Sequence, residues 1–160
     1  MAKAAKPVPE GFQTMTPQLA LDSAATTIDW YVKALGAKEI RRSAGPDGKI
    51  MHAELTIGDT RFIANDAMMG SKGPKAYGGS PASWWIYVED CDALFNKAVS
   101  AGAKVQMPME DQFWGDRAGS VTDPAGYSWW ISTRKEDLTP EEIRRRMEAM
   151  FKQMPQATHP

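Results

Sequence analysis

His52 and Glu54 are the two residues of this sequence best placed for proton transfer. They stand two positions apart in a segment, 49–57, whose apolar and polar residues alternate as in a β-strand. Side chains two positions apart on a strand share one face, so an imidazole and a carboxylate would lie side by side. Such a pair can act as general acid and base, or it can fix polar groups of a ligand. A hydrogen-bonded pair on a sheet surface, without any chemistry, is the alternative interpretation.

Aromatic side chains form a second feature. The same alternation puts Trp85 and Tyr87 of one predicted strand, and Trp130 of another, on the faces that point away from the core. Large rings on one face can stack on a planar ligand or hold a cation over their faces. They can equally fill the space between sheet halves or form a dimer interface.

A polar loop and the first strand complete the candidate binding set. Gln112 and Trp114 lie in a glycine-containing loop that suits a lid or a subunit contact, and Asp116 and Arg117 beside it can form a local ion pair. We therefore expect ligand contacts from these residues: Gln18, His52, Glu54, Trp85, Tyr87, Gln112, Trp114 and Trp130.

Two similar runs of elements must position these residues. The apolar pattern predicts a strand, a helix and three strands, and then the same order again. Gly36-Ala37-Lys38 after the first helix recurs as Gly102-Ala103-Lys104 after the second. The alternation in the third strand also predicts a core-facing set: Met51, Ala53, Leu55 and Ile57. An internal repeat of this length indicates two copies of one supersecondary unit.

The repeat divides the chain into parts. Two modules, about 14–66 and 83–133, form a single domain joined by a glycine- and proline-containing linker, 67–82. Residues 1–13 read as a flexible arm, and residues 134–160 as an extension with a helix at about 140–152. That helix begins at a capping box with proline in its first turn, and it carries one apolar stripe. The stripe predicts packing either on its own domain or on a second subunit.

Composition excludes several classes of function. The chain has 160 residues and a formal net charge of -1, which gives no bulk attraction to nucleic acid or to an anionic membrane. It has two histidines and one cysteine, so a site with several His or Cys ligands is excluded. The lone Cys91 and the lack of a long apolar run predict a cytoplasmic protein.

Two motifs carry a resemblance to a known family. Asp29-Trp30-Tyr31 with Leu35-Gly36 in the first helix, and Asp123-Pro124-Ala125-Gly126-Tyr127 before the last strand, resemble the vicinal oxygen chelate superfamily. That superfamily includes glyoxalase I, extradiol dioxygenases and bleomycin-resistance proteins. The resemblance implies an α+β fold in which two βαβββ modules curl a mixed sheet around a cleft, and it implies a homodimer.

The resemblance also permits a test of the family's metal site. Counting from the motifs, the ligand positions carry Thr16, Ser83, Trp130 and either Phe62 or Ile63. Neutral hydroxyls are poor ligands, and an indole offers only an N–H donor. We therefore expect no metal and no other cofactor at the usual site.

Two functions remain open. One is a protein that binds a small aromatic or amphipathic molecule without a metal, similar to the bleomycin-resistance group. The other is a glyoxalase-like lyase, isomerase or dioxygenase-type enzyme that uses His52 and Glu54, with or without a divalent metal.

Overall fold

The computed structural model describes residues 6–153 and contains the expected α+β architecture. The predictions for residues 1–5 and 154–160 lie outside the described residues. The first module comprises β1 (Gln18–Leu21), α1 (Ala24–Leu35), β2 (Lys38–Ala44), β3 (Ile50–Ile57) and β4 (Thr60–Asp66). The second comprises β5 (Ser83–Tyr87), α2 (Cys91–Ser100), β6 (Lys104–Asp111), β7 (Asp116–Thr122) and β8 (Ser128–Arg134). A 3-10 turn, Pro74–Tyr77, lies between the modules, and α3 (Pro140–Gln153) follows the second.

Each module folds into its own four-stranded mixed sheet. The strand orders, β1-β4-β3-β2 and β5-β8-β7-β6, are the same pattern twice. In each sheet the first strand runs parallel to the last, and the remaining pairs are antiparallel. The two sheets are not closed into one, so β1 and β5 are both edge strands.

Ser23 is the N-cap of helix α1, but its side chain makes no capping hydrogen bond. The free backbone N–H of Ala24 instead donates to Asp66 Oδ1 at 2.8 Å, while Asp66 Oδ2 accepts from Ile50 N at 2.7 Å. Asp66 at the end of β4 thus joins the start of the helix to the start of β3. Helix α2 is capped by its own N-cap residue, because the Asp90 side chain accepts a hydrogen bond from Ala93 N.

Helices α1 and α2 and one face of each sheet share a single core, which contains Leu21, Ile28 and Leu55 from the first module and Phe95 and Ile131 from the second. Each sheet therefore keeps one face that is not covered by its own helix. These two open faces carry the candidate site residues.

A buried carboxylate connects the modules. Asp123 Oδ2 accepts from Tyr31 Oη of the first module and from Trp129 Nε1 of the second, both at 2.8 Å. Its other oxygen accepts from the backbone N–H groups of Gly126 and Tyr127. The Asp-Pro-Ala-Gly-Tyr motif and Tyr31 of the α1 motif therefore belong to one structural junction between the modules.

The expectation that Met51 faces the core is wrong. In the β2–β3 ladder Ser43 pairs with His52 and Ala44 with Ile50, which leaves Met51 as an extra residue. Such a bulge reverses the alternation. Ile50 is consequently buried, and Met51 is 50% exposed.

The terminal segments differ in how they are held. The Arg61 guanidinium lies over the Phe12 ring, with its carbon 4.8 Å from the ring centroid. Gln13 forms hydrogen bonds at the β3–β4 turn. Helix α3 buries none of its residues. Arg146 of this helix pairs with Glu136 in the segment before it, and also with Glu142 one turn earlier in the same helix. None of the helices among residues 6–153 has the length and apolarity needed to cross a membrane.

Candidate functional site

The open face of the second sheet carries a row of stacked rings. The parallel register of β5 and β8 sets Trp85 directly beside Trp130, and their indoles stack with centroids 4.7 Å apart and planes 4° apart. Tyr87 continues the row at 6.2 Å from Trp85 with an interplanar angle of 26°. Trp85 is 43% and Tyr87 59% exposed, so this row presents a flat apolar surface to solvent.

The loop between β6 and β7 adds a fourth ring. Trp114 meets Trp85 and Trp130 edge-on, at 6.2 and 6.4 Å between centroids. Gly115 beside it has φ of +96°, a conformation that a side chain would strain. We call Trp85, Tyr87, Trp114 and Trp130 the aromatic cluster. Three of its rings, Trp85, Tyr87 and Trp114, line an open groove of about 400 Å³.

Gln112 holds the loop. Its side-chain amide donates to the backbone carbonyls of Ala118 and Glu110, and its backbone N–H donates to Asp116 O at 2.7 Å. The amide is thus engaged in positioning the loop that carries Trp114.

Asp116 lies beneath the aromatic cluster and is buried. Its Oδ2 accepts from Tyr87 Oη at 3.0 Å and from Trp114 Nε1 at 2.9 Å, so one carboxylate oxygen orients two of the four rings. Its Oδ1 is buried without a hydrogen bond, and the nearest guanidinium nitrogen of Arg134 is 3.9 Å away. Burial of the tyrosine and its hydrogen bond to Asp116 together raise the pKa of Tyr87.

The expected ion pair between Asp116 and Arg117 is wrong. The two residues are adjacent on β7 and therefore point to opposite faces, and Arg117 pairs with Asp92 and Asp111 instead. Sequence reasoning missed Asp116 as a site residue because it was assigned to the loop. Had β7 been extended by one residue, the alternation would have put Asp116 on the face of Ser120.

His52 and Glu54 are brought together on the open face of the first sheet. His52 Nε2 lies 3.0 Å from Glu54 Oε1. Glu54 is buried, and it is also held by Arg41 from the neighbouring strand β2 and by Arg61 from β4. A hydrogen bond from Arg41, with smaller effects of His52 and Arg61, lowers the pKa of Glu54. This carboxylate is therefore an ionised anchor for three cationic or polar side chains and is poorly suited to donate a proton.

Gln18 lies beside this group, on the edge strand β1, and its amide donates to Asn65 Oδ1 at 2.7 Å.

The expected site residues thus form two groups on separate sheets: a polar group of Gln18, His52 and Glu54, and the aromatic cluster with Gln112. The polar group also contains Arg41 and Arg61, which sequence reasoning missed. Arg41 stands opposite Glu54 in the ladder, but two register shifts between β2 and β3 obscure that pairing in the sequence.

The residues at the family's metal positions do not fit a divalent ion. Trp130 is stacked on Trp85, Thr16 donates its hydroxyl to Gln13 O, and Phe62 is buried in the core. Among residues 6–153, His, Cys, Asp and Glu side chains form no group of three suited to hold a metal. The donor chemistry therefore gives no basis for a metal-centred step.

A cavity of about 330 Å³ lies between the modules. Trp84 is one of its lining residues, and the indole Nε1 of Trp84 is buried without a hydrogen-bond partner. The lining comes from both modules and includes Leu19, Phe62, Trp84, Ile86, Val88 and Trp129. Trp85 and Tyr87 line the cavity as well, so it adjoins the aromatic cluster.

Comparison with known proteins agrees with this architecture. Residues 14–131 match the model of the glyoxalase/bleomycin resistance protein/dioxygenase superfamily. The uncharacterised protein Mb0911c of Mycobacterium bovis is 42% identical over 138 residues, which cover 83% of this chain and 91% of the relative. The uncharacterised protein At5g48480 of Arabidopsis thaliana is 30% identical over 124 residues, covering 71% and 74% of the two chains.

Solved structures show the same fold. TioX from Micromonospora sp. ML1 superimposes with a TM-score of 0.61 at 26% identity, covering 79% of this chain and 100% of TioX. The structure of At5g48480 superimposes with a TM-score of 0.60 at 25% identity, covering 78% and 99%. The chain therefore belongs to the glyoxalase/bleomycin resistance protein/dioxygenase superfamily.

Proposed function

We propose that this protein binds a small aromatic or amphipathic molecule on the aromatic cluster and that it does so without a metal. The observation that carries the proposal is the stack of Trp85 and Trp130 on an open sheet face, with Tyr87 and Trp114 in contact. Rings already ordered by a shared carboxylate lose little freedom when a planar ligand arrives, which favours binding.

Burial supports a role other than core packing. Trp85 and Tyr87 remain widely exposed, whereas Trp129 on the opposite face of β8 is buried in the core. Exposed apolar rings held together on one face of a folded protein typically mark an interaction site. The polar group around Glu54 lies on the first sheet, whereas the aromatic cluster lies on the second. It can therefore contact only a ligand large enough to reach the open faces of both sheets.

Tryptophan fluorescence and calorimetry test this proposal with a set of planar aromatic compounds, such as 2-naphthol, against the matched aliphatic alcohol cyclohexanol. We expect saturable binding of the aromatic compounds, with at least tenfold weaker binding to Trp85→Ala, consistent with the ~1–3 kcal/mol of one stacking partner. Trp30→Phe on α1 is the matched control and should bind as wild type. Absence of saturable aromatic binding to the wild-type protein would overturn the proposal.

The enzyme alternative has one specific observation in its favour, the contact between His52 and Glu54. Titration with divalent metals, followed by tryptophan fluorescence and by metal analysis, separates the two functions. Tight stoichiometric metal binding that is lost in His52→Ala would favour the enzyme. The ionised and multiply bonded state of Glu54 favours the binding protein.

The proposal includes a homodimer in the cytoplasm. The edge strand β5 supports it, because its outer backbone groups face no neighbouring strand among residues 6–153 and it carries the exposed rings of Trp85 and Tyr87. Exposed edge strands with apolar side chains are templates for pairing with another chain. Light scattering during size-exclusion chromatography measures the mass, and a mass of one chain would exclude the dimer.

A further inference from the structure

Only one of the two oxygens of the carboxylate beneath the aromatic cluster holds the rings. Oδ2 of Asp116 receives two hydrogen bonds, the pattern expected of a carboxylate, while Oδ1 is buried and has no hydrogen-bond partner. The side chain is 0% exposed. A charge in such a site is weakly screened, so its field reaches the rings above it.

The hydrogen bonds to Asp116 also change the rings themselves. Tyr87 and Trp114 each donate their polar hydrogen to the same anion, which moves electron density toward the ring faces. A cation over an aromatic face is attracted by that density. Asp116 therefore increases the electron density at the faces of two rings of the cluster.

The charges around the cluster add to this effect. Glu110 stands opposite Ala118 and so shares the open face, and Asp137 follows the end of β8. The compensating guanidinium is that of Arg134, which is half exposed and divided between Asp116 and Asp137. Lys104 stands opposite Thr122 at the far end of the same face and adds a second cation. Three carboxylates against two cations leave this face with a net charge of one negative unit.

We propose that the ligand of the aromatic cluster is an organic cation, an aromatic or amphipathic molecule whose quaternary or protonated nitrogen lies over the rings above Asp116. This inference rests on the proposed function and narrows it to one ligand class. The rings supply contact area, and the buried carboxylate supplies the preference for positive charge.

A pair of isosteres tests charge alone. Phenyltrimethylammonium and tert-butylbenzene have the same shape and differ by one charged atom. Calorimetric titration of the full chain should show the cation bound about five- to thirtyfold more tightly, the factor that a cation–π contact of ~1–2 kcal/mol gives. Equal affinity, or tighter binding of tert-butylbenzene, overturns the inference and leaves the proposed function standing. Binding of neither compound removes the proposed function and the inference together.

Matched variants then locate the source of the preference. Asp116→Asn keeps an acceptor for Tyr87 and Trp114 but removes the charge, and it should abolish most of the preference for the cation. Glu141→Gln on α3 makes the same change of net charge at an exposed position and should leave the preference unchanged. Trp85→Leu, at a position that is 43% exposed, should weaken binding of the cation about fivefold or more, while tert-butylbenzene loses less affinity. An unchanged preference in both Asp116→Asn and Trp85→Leu would contradict the inference.

Discussion

Trp85 and Trp130 lie side by side on parallel strands, and their indole planes differ by 4°. The stack is a consequence of register, because β5 and β8 pair residue by residue from Ser83 and Ser128 onward. A shift of one residue would turn one of the two rings into the core. The binding surface is thus fixed by the same hydrogen bonds that build the sheet.

Coupling between the two stacked indoles can be measured directly. Trp85→Ala or Trp130→Ala should each remove the same near-ultraviolet circular dichroism contribution, because either change abolishes the stack. Each variant should also lose about 0.5–1.5 kcal/mol of the free energy of unfolding beyond the loss of buried area. If the effects of the two changes add fully in the double variant, the rings do not interact and the stack is absent in solution.

The loop of Trp114 depends on a glycine. A Cβ added at Gly115 would lie 2.8 Å from Glu136 O, and φ there is +96°. We expect Gly115→Ala to lower the free energy of unfolding by about 1–3 kcal/mol and to weaken aromatic ligands, because Trp114 is displaced. Gly58→Ala has φ of +58° and open space around its Cβ, so it measures the backbone cost alone. Equal losses in the two variants, by urea denaturation, would show that the close approach to Glu136 has no effect.

Removal of the Tyr31 hydroxyl tests the junction between the modules. Tyr31→Phe should lower the free energy of unfolding by about 1.5–3 kcal/mol at neutral pH, because a hydrogen bond to a charged group is lost. Burial, followed by the effect of Asp123, raises the pKa of Tyr31 well above its ordinary value of 10.0. The stability linked to this hydroxyl is therefore complete below about pH 10 and is lost as the pH rises toward the folded-state pKa.

The wild type should consequently lose more stability than Tyr31→Phe between neutral pH and pH 11. Urea denaturation across that range measures the difference between the two proteins. Tyr77→Phe, at a residue that is 68% exposed, is the control and should follow the wild type. A constant difference between wild type and Tyr31→Phe would show that the hydroxyl ionises normally.

The contribution of Glu54 to the free energy of unfolding should have the opposite pH dependence. The hydrogen bond from Arg41 lowers the pKa of Glu54 from 4.5, so its contribution is present above about pH 4.5 and is lost as the pH falls through the lowered value. Glu54→Gln should lower the free energy of unfolding by about 1–3 kcal/mol at pH 7 and flatten its decline in acid. Denaturation from pH 7 to pH 3 gives the comparison, and parallel curves for the two proteins would contradict it. Glu141→Gln serves as the exposed control.

Helix α3 should be dispensable for the stability of the domain. It buries no residue, so a chain that ends after Leu138 should unfold within a few degrees of the wild-type midpoint. Light scattering on the same truncated chain addresses the choice between packing on its own domain and packing on a second subunit. A smaller mass than that of the wild type would assign the helix to the subunit contact, whereas a large fall in midpoint would assign it to its own domain.

The duplicated order of elements was predictable because it rests on strong local signals. Asp90 caps α2, and Gly36 ends α1 in the left-handed conformation with φ of 70°. Alternation in β5 and β8 also places Trp85 and Trp129 on the correct faces. Each of these features depends on neighbouring residues only, which is where sequence patterns are most informative.

What the sequence does not predict depends on irregular pairing and on distant contacts. Met51 is misassigned because a bulge is invisible to alternation, and Pro108 conceals the second half of β6, which continues as an edge strand to Asp111. The carboxylate of Asp116 accepts a hydrogen bond from Tyr87, which is 29 positions away in the chain, and no local sequence pattern predicts that contact. The first cap of α1 comes from Asp66 for the same reason.

The shared carboxylate of Asp123 gives the tandem repeat a property that neither half has alone. One oxygen atom accepts a hydrogen bond from each module, so separating the modules would strand a charge that is buried in the intact protein. A chain nicked in the loop around Gly78 would therefore keep its two fragments associated as a noncovalent complex. Because both halves depend on one internal anion, each half is expected to be less stable alone than within the pair.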